Sequence, residues 1–580
     1  MAETKAEKKK AGIVKRILKW IGLTALSVLI ILGLIFQAPW KVIALLLIIL
    51  AACTQLPRPA RKWFWLSAAA VVIALIIWVF LPDDNEGWRP YTLDEELAAL
   101  EAARSIPDSE NAAIIYNELL LDDKKYQEPP EDEIIAELKE KGEISVPLDD
   151  VNEWLANRSY STFFPEFWNE DLEDLTLYEF WSSKEHPRVA EWLQQHKDTI
   201  AKLLEASKLE KCRFPIPSDT FSLGESMERL PAMRRWARLL IRAANNDLGD
   251  GRNNQAIEKN LAVLQMAKHQ YQQPTIIDVL VGIAIEAFAT KQCNKFVVTG
   301  NATEEHLSVI EKALAGNKHN WSSDWPRILD YEKLIAKKEF AKYYEVNPKG
   351  KIRLSRDPWA QMRTCCQQRL QDEEIEEEWL KDYLESVAYP SYLKKKLIKA
   401  YTILKWFYIP STPQKASKII DAAYQKYYAM AEPDFDWKKG PKKFSLTSLK
   451  LNYRFVVQSI VNILEETYYK IHDLYLRTIA EQRGSQLIIA LRRYKNKNGN
   501  WPESLEDIKS IVPAEIFVDP FNEGPFVYKL TDDSFKLYSK GKNNIDEDGK
   551  YRRGPDDWPI WPGPGRSRKT KEENADAEQQ

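Results

Sequence analysis

The sequence predicts a mainly α-helical chain: three N-terminal transmembrane helices, a large all-α extracytoplasmic domain of helical-hairpin, repeat-like character, and a small C-terminal α+β module. Three observations predict it. Apolar runs with almost no charge crowd the first 81 residues. Apolar side chains then recur at helical spacing from Thr92 to Tyr494, as packed amphipathic helices require. Short stretches of strand-like alternation stand out only near the C-terminus. In chain order the expected segments are 1–16, a cytoplasmic basic tail; 17–81, three transmembrane helices; 82–227, a helical, aromatic-rich region; 228–475, an all-α domain; 476–562, the α+β module; and 563–580, a disordered tail.

The firmest of the expected spans is Trp63 to Leu81, WFWLSAAAVVIALIIWVFL, without a charge and with tryptophans near both ends. About 20 such residues cross a bilayer core, and aromatic residues favour its surfaces. Ile17 to Phe36, broken only by Lys19, is a first span behind a basic flank, and Val42 to Leu56 is a shorter second one. Arg58, Arg61 and Lys62 precede the third run, whereas Asp83, Asp84 and Glu86 follow it. Positive loops stay in the cytoplasm, so the expected topology has the N-terminus inside a bacterial inner membrane and the large domain in the periplasm or an equivalent space. A re-entrant second run would reverse that topology. The lipid bilayer is thus one expected partner.

Beyond the membrane block, LDEELAALEAARSIPDSENAAIIYNELLL reads as two helices separated by Pro107 and Asp108. Trp154, Phe163, Phe164, Phe167, Trp168, Tyr178, Phe180, Trp181 and Trp192 crowd the following region. They read either as a sugar-stacking face or as aromatic packing between helices. From Glu228 the pattern is clearer. Leu230, Met233, Trp236, Leu240 and Ala243 share one helical face, ended by Gly249 and Gly251, and Ile257, Leu261, Leu264 and Tyr271 share the next. Pro274 precedes TIIDVLVGIAIEAFATKQCNKF, apolar almost all round. Its Asp278, Glu286 and Lys291 make it a central buried helix rather than a fourth span. Thr303 is suited to cap a further helix, with Glu304 and Glu305 in its first turn. The acidic run Asp372 to Glu385 and the basic run Tyr392 to Tyr401 read as solvated helix faces.

Composition excludes several function classes. With 82 basic and 85 acidic residues the net charge is -3, which gives no counterion-release drive toward nucleic acid. The six histidines stand too far apart for HExxH or a facial triad, and each reads as a surface or packing residue. No GxSxG, Walker loop or GxGxxG follows a strand. The five cysteines show no CxxC or Cys/His ligand spacing. No catalytic residue is assigned.

The C-terminal stretch carries a specific pattern. A helix ends Ala490-Leu491-x-x-Tyr494, followed by Gly499-x-Trp501-Pro502-x-Ser504-Leu505, then Asp519-Pro520, a hairpin of PFVYKL with SFKLYS, and Tyr538-Ser539-x-Gly541 before an acidic loop. This resembles the soluble module of the major, G-type pseudopilins of type II secretion. The whole chain resembles large bacterial membrane-anchored helical proteins that end in such a module. Because the module here follows a long helical region instead of a single hydrophobic helix, the resemblance implies an appended module rather than a pilus subunit. It also implies calcium, which the resembled family binds in the corresponding loop. Asn544-x-Asp546-x-Asp548-Gly549 opens like an EF-hand, but Pro555 replaces the closing glutamate. The expected calcium ligands are Asp546, Asp548, Asp556 and Asp557, the alternative being a solvated acidic turn.

The functional expectation is a membrane-anchored extracytoplasmic binding or scaffold protein of the bacterial envelope, associated with a secretion or pilus-like assembly and having envelope or secretion proteins as partners. The alternative is an envelope carbohydrate-active enzyme or sugar-binding protein that uses the aromatic-rich region.

Overall fold

A computed structural model of the chain describes residues 87–126, 176–216, 223–317, 319–355, 409–440, 455–551 and 556–563, with a few isolated positions between 366 and 389. Two compact units contain them, one drawn from Met1–Thr92, Phe340–Ala416 and Lys450–Val456, the other from Leu93–Glu339, Ser417–Leu449 and Val457–Gln580.

The first unit holds a small antiparallel sheet in the order β1 (Arg89–Pro90), β2 (Tyr344–Val346), β3 (Ile352–Leu354). Gly350, at φ 73°, supplies the left-handed backbone of the β2–β3 turn. Tyr344 is buried, and its hydroxyl donates to the Pro410 carbonyl at 2.8 Å. Arg353 donates to Glu345 at 2.8 Å and lies over the Trp88 ring.

The second unit is mainly helical. Its elements are α1 (Asp94–Ala103), α2 (Ala112–Tyr126), α3 (Pro187–Gln195), α4 (Lys197–Ala206), α5 (Leu223–Gly249), α6 (Asn253–Tyr271), α7 (Ile276–Thr299), α8 (Glu304–Ala315) and most of α9 (Trp321–Ala341), α10 (Pro413–Tyr428) and α11 (Phe455–Asn498). A second antiparallel sheet follows, β4 (Val527–Leu530), β5 (Phe535–Ser539) and β6 (Trp558–Trp561), in that order. The expected face of α5 is buried at Leu230, Met233, Trp236, Leu240 and Ala243. Gly249 ends α5 where a Cβ would stand 2.1 Å from the Trp181 carbonyl oxygen, so only glycine allows that approach. Thr275 caps α7 by accepting from the Asp278 amide at 3.0 Å, and Thr303 caps α8. Asp278 is almost fully buried and is paired with Arg229 at 2.7 Å. The pair offsets the desolvation that an isolated buried carboxylate would suffer.

One apolar core runs through this unit, from Tyr116 and Leu203 through Met233, Val263 and Ile285 to Leu487, Leu491, Phe535 and Ile560. The regions 82–227, 228–475 and 476–562 all contribute to it, and α11 passes unbroken across position 475. Much of the aromatic content is helix packing. Trp325 donates to the Tyr427 carbonyl at 2.9 Å and meets Tyr468 edge-on, while Tyr427 and Tyr468 are themselves buried.

The expected architecture needs a correction. Among the described residues no helix is long and apolar enough to cross a membrane, so three transmembrane helices are not supported. The most apolar long helix, α7, is interrupted by Asp278, Glu286, Lys291 and Lys295, which bilayer hydrocarbon would strongly disfavour. The runs within 17–81 lie outside the described residues, as do the basic tail, the C-terminal tail, most of the aromatic cluster from Trp154 to Trp168, and nearly all of the acidic and basic runs between 372 and 401.

Candidate functional site

The sequence-expected site lies in the loop joining β5 to β6, and the fold separates its four aspartates. Asp546 accepts from the Tyr538 hydroxyl at 2.7 Å and pairs with Lys529 at 3.2 Å, and Asp548 pairs with Lys529 at 3.2 Å and Lys536 at 3.3 Å. These lysines project from β4 and β5. The Tyr538 hydrogen bond, with Lys529 behind it, holds Asp546 below the usual carboxylate range, and hydrogen bonds from Lys529 and Lys536 do the same for Asp548. Both are therefore satisfied by protein.

Asp556 and Asp557 behave differently and are joined by Glu547, which sequence reasoning missed. Carboxylate oxygens of these three lie within 4.8 Å of one another. Asp557 Oδ2 accepts from the Glu547 and Gly549 amides, both at 2.8 Å, and Asp556 Oδ2 accepts from the Lys542 and Asn543 amides at 3.0 and 3.2 Å. The Oδ1 atoms of both aspartates are buried and without a hydrogen-bond partner among the described residues. Burial, reinforced by the Glu547 and Asp546 charges, raises the Asp557 carboxyl against the pull of its two amide donors. Orphaned carboxylate oxygens beside a third acid fit a hard cation, which takes oxygen ligands on irregular loops. Among the described residues Glu547, Asp556 and Asp557 are the acids whose carboxylate oxygens converge, while Asp546 and Asp548 are paired with lysines. Gly541 permits the loop to close, since it sits at φ 61° and a Cβ there would stand 2.4 Å from the Asp556 carbonyl oxygen.

A second constellation lies inside the helical part of the unit. Glu286, on α7 and almost fully buried, accepts from the Tyr271 hydroxyl at 2.7 Å, from His319 Nε2 at 2.9 Å and from Gln482 Nε2 at 2.6 Å. Gln482 also donates to the Asn317 carbonyl at 2.5 Å, which fixes the α8–α9 connection against α11. Burial works to raise the Glu286 carboxyl, but the His319 charge and the three hydrogen bonds together hold it below its usual range. Burial raises the Tyr271 phenol, with the Glu286 charge second, so Tyr271 stays a donor. Burial raises the Tyr475 phenol too, with the Asp324 charge second, and it donates to Asp324 Oδ2 at 2.6 Å.

His319 sits edge-on between Tyr271 and Tyr475. Nε2 of this ring lies 2.9 Å from Glu286 Oε2 and donates to it. His319, Asp324, Lys268, Arg327 and Tyr475 line a cavity of about 200 Å³. Among the described residues its lining includes no serine, threonine or cysteine.

His319 is a buried packing residue that also carries a hydrogen bond to Glu286. His269 is likewise buried against Tyr116, and His472 is stacked flat on Trp437. Burial lowers these two to about 4 and about 3. The only sequence signal for Glu286 was a charge on an otherwise apolar helix. Of the aromatic-rich region, Trp181 and Trp192 are 1% and 8% exposed, so they offer no sugar-stacking face. Comparisons with protein-family models, curated proteins and solved structures find no match to the chain.

Proposed function

We propose that the protein is an extracytoplasmic binding or scaffold protein of the bacterial envelope, working beside a secretion or pilus-like assembly, with its C-terminal α+β module carried as a fixed head on a helical domain. The observation that supports this reading is the shared helix. α11 buries Leu487, Ile488 and Leu491 in the common core, and its Arg493 pairs with Glu304 and Glu311 of α8 at 2.8 and 2.9 Å. Arg492 donates to the Val298 and Gly300 carbonyls at 3.2 and 2.8 Å. The C-terminal part of this helix is thus covered by its own chain, which suits a module that presents a surface better than a subunit that polymerises through that part. The pseudopilin-like sequence pattern supplies the envelope context, and the loop of Glu547, Asp556 and Asp557 is its proposed calcium site.

The test is site-specific photocrosslinking in living cells from Ile545 and Tyr551, exposed on the module at 59% and 42%. A discrete adduct with an envelope or secretion protein is expected from at least one position. Adducts no different from those of a buried control position, Leu537, would refute the scaffold reading, as would protection of the module from protease added to spheroplasts.

A further inference from the structure

Gln265, His269, Gln272 and Gln273 recur near the end of α6 at helical spacing, which gathers their polar ends on one side of the helix and its cap. All four turn to the backbone of one extended segment, residues 209–216. We propose that this side of α6, together with α1 and α2, is a peptide-binding groove that segment 209–216 occupies in cis and that an extended partner segment of the same pattern occupies in trans.

The backbone contacts carry the argument. Gln265 and His269 donate to the Leu209 carbonyl at 3.1 and 2.8 Å. Gln272 accepts from the Cys212 amide at 2.7 Å and donates to the Glu210 carbonyl at 2.8 Å. Asn111, just before α2, accepts from the Arg213 amide at 2.8 Å and donates to the carbonyl of the same residue at 3.0 Å. Gln273 accepts from the Phe214 amide at 3.1 Å and donates to the Cys212 carbonyl at 2.9 Å. Glu101 on α1 accepts from the Ile216 amide, and Pro215 has no N–H to place. Each backbone N–H from Cys212 to Ile216 thus ends on a side-chain oxygen of another element.

A carboxamide offers the same donor and acceptor as a peptide unit, so Asn111, Gln272 and Gln273 stand in for a neighbouring strand. Main-chain bonds of this kind hold an extended ligand whatever its sequence, and pockets for alternate side chains add the specificity. The side chains do alternate. Cys212, Phe214 and Ile216 point inward, at 2%, 6% and 8% exposed, while Lys211 and Pro215 are exposed. The Phe214 ring lies 6.1 Å from that of Tyr116 and 4.2 Å beneath the Arg229 guanidinium, and Arg213 pairs with Glu101. The groove therefore selects a small residue, then arginine, then an aromatic residue, with an aliphatic one two places on.

None of these bonds needs the segment to be continuous with the rest of the chain. Its hydrogen-bond partners stand 56 to 115 positions away, so a separate polypeptide can meet the same groups. Side-chain amides left behind by a departing segment are hydrated by water, which lowers the cost of exchange. The groove adds a partner contact to the scaffold reading on α1, α2 and α6 rather than on the C-terminal module, so peptide binding and crosslinking from the module can fail independently.

The experiment is anisotropy titration of the full chain, wild type and Phe214→Ala, into a fluorescein-labelled peptide Glu-Lys-Ala-Arg-Phe-Pro-Ile. In cis the segment competes at an effective concentration of order millimolar, and loss of the Phe214 ring weakens that competitor. The peptide is expected to bind Phe214→Ala at least about tenfold more tightly than wild type, and Asn111→Ala in that background to weaken binding about tenfold. A peptide N-methylated at its arginine and phenylalanine keeps both side chains but lacks the N–H donors for Asn111 and Gln273, and it should also bind about tenfold more weakly. The proposal is overturned by no binding to Phe214→Ala at millimolar peptide, by equal affinity for the two proteins, or by affinity unmoved on N-methylation, which would mean an apolar hole plugged without backbone recognition. If Phe214→Ala does not fold, hydrogen exchange of the wild type decides. Unlabelled peptide at about 10 mM, above the effective concentration of the cis segment, should speed exchange of the Cys212, Arg213 and Phe214 amides, and unchanged rates overturn the proposal.

Discussion

Replacing Glu481 by glutamine should make the protein more stable at pH 8 and remove part of its dependence on pH. Glu481 lies on α11 next to the buried Glu286 network, and its Oε1 accepts from the Trp558 indole at 3.2 Å. Burial pushes its carboxyl up to about 7. Lys291 opposes that rise, the Glu286 charge adds to it, and the Trp558 hydrogen bond and Arg477 work against it. A carboxyl with a raised folded-state value binds its proton more tightly when folded than when unfolded. Stability from this group is therefore full below the unfolded value of 4.5, falls as pH rises from 4.5 to about 7, and is flat above. At about 1.36 kcal/mol per pH unit, the interval corresponds to roughly 3 kcal/mol at most. Glutamine keeps the shape and the acceptor for Trp558 and never ionises. Urea unfolding of the full chain and of Glu481→Gln at pH 5 and pH 8 measures the effect as the difference between the two proteins, in which other titrating groups cancel. A gain for the variant at pH 8 that shrinks toward pH 5 is expected. Equal stability differences at the two pH values, or a variant less stable at pH 8, would refute the reasoning.

Two further perturbations test the junction between the helical part and the C-terminal sheet. At Gly484 a Cβ would lie 2.5 Å from Ile560 Cδ1 and 2.7 Å from its Cγ2, so Gly484→Ala should destabilise by about 1–3 kcal/mol. Combining it with Ile560→Ala should cost measurably less than the sum of the single changes, and strictly additive melting data would show that the two positions do not touch. Millimolar calcium should raise the melting temperature of the wild-type chain, by up to about 2.7 kcal/mol of stabilisation at a hundredfold excess over Kd, and leave Asp557→Asn unmoved. A wild-type protein indifferent to calcium would remove Glu547, Asp556 and Asp557 as a metal site.

Where local pattern and burial coincide, the helices were readable in advance. The α5 face from Leu230 to Ala243, the glycine stop at Gly249, the Thr303 cap and the apolar α7 all rest on spacings of a few residues, within which helix geometry dictates which side chains share a face. The β4–β5 hairpin was legible for the same reason, since Tyr528 lies opposite Leu537 in a regular alternation. Other elements had no such pattern. β1, β2 and β3 have two or three residues each, too few for a period of two to show. β6 contains Pro559, which reads as a break, and pairs only as the outer strand beside β5.

The sequence by itself determined helical character, element ends, the α+β character of the C-terminal module and the acidic composition of its last loop. These are local properties, set by neighbours along the chain. Only the tertiary structure decided which charges meet. It divided four expected aspartates into two paired with Lys529 and Lys536 and two gathered around Glu547. It brought Glu286 of α7, His319 of the α8–α9 connection and Gln482 of α11 to one buried point. The physical reason is that a hydrogen bond acts over about 3 Å of space, and residues 33 and 196 positions apart in the chain carry no mark of that distance.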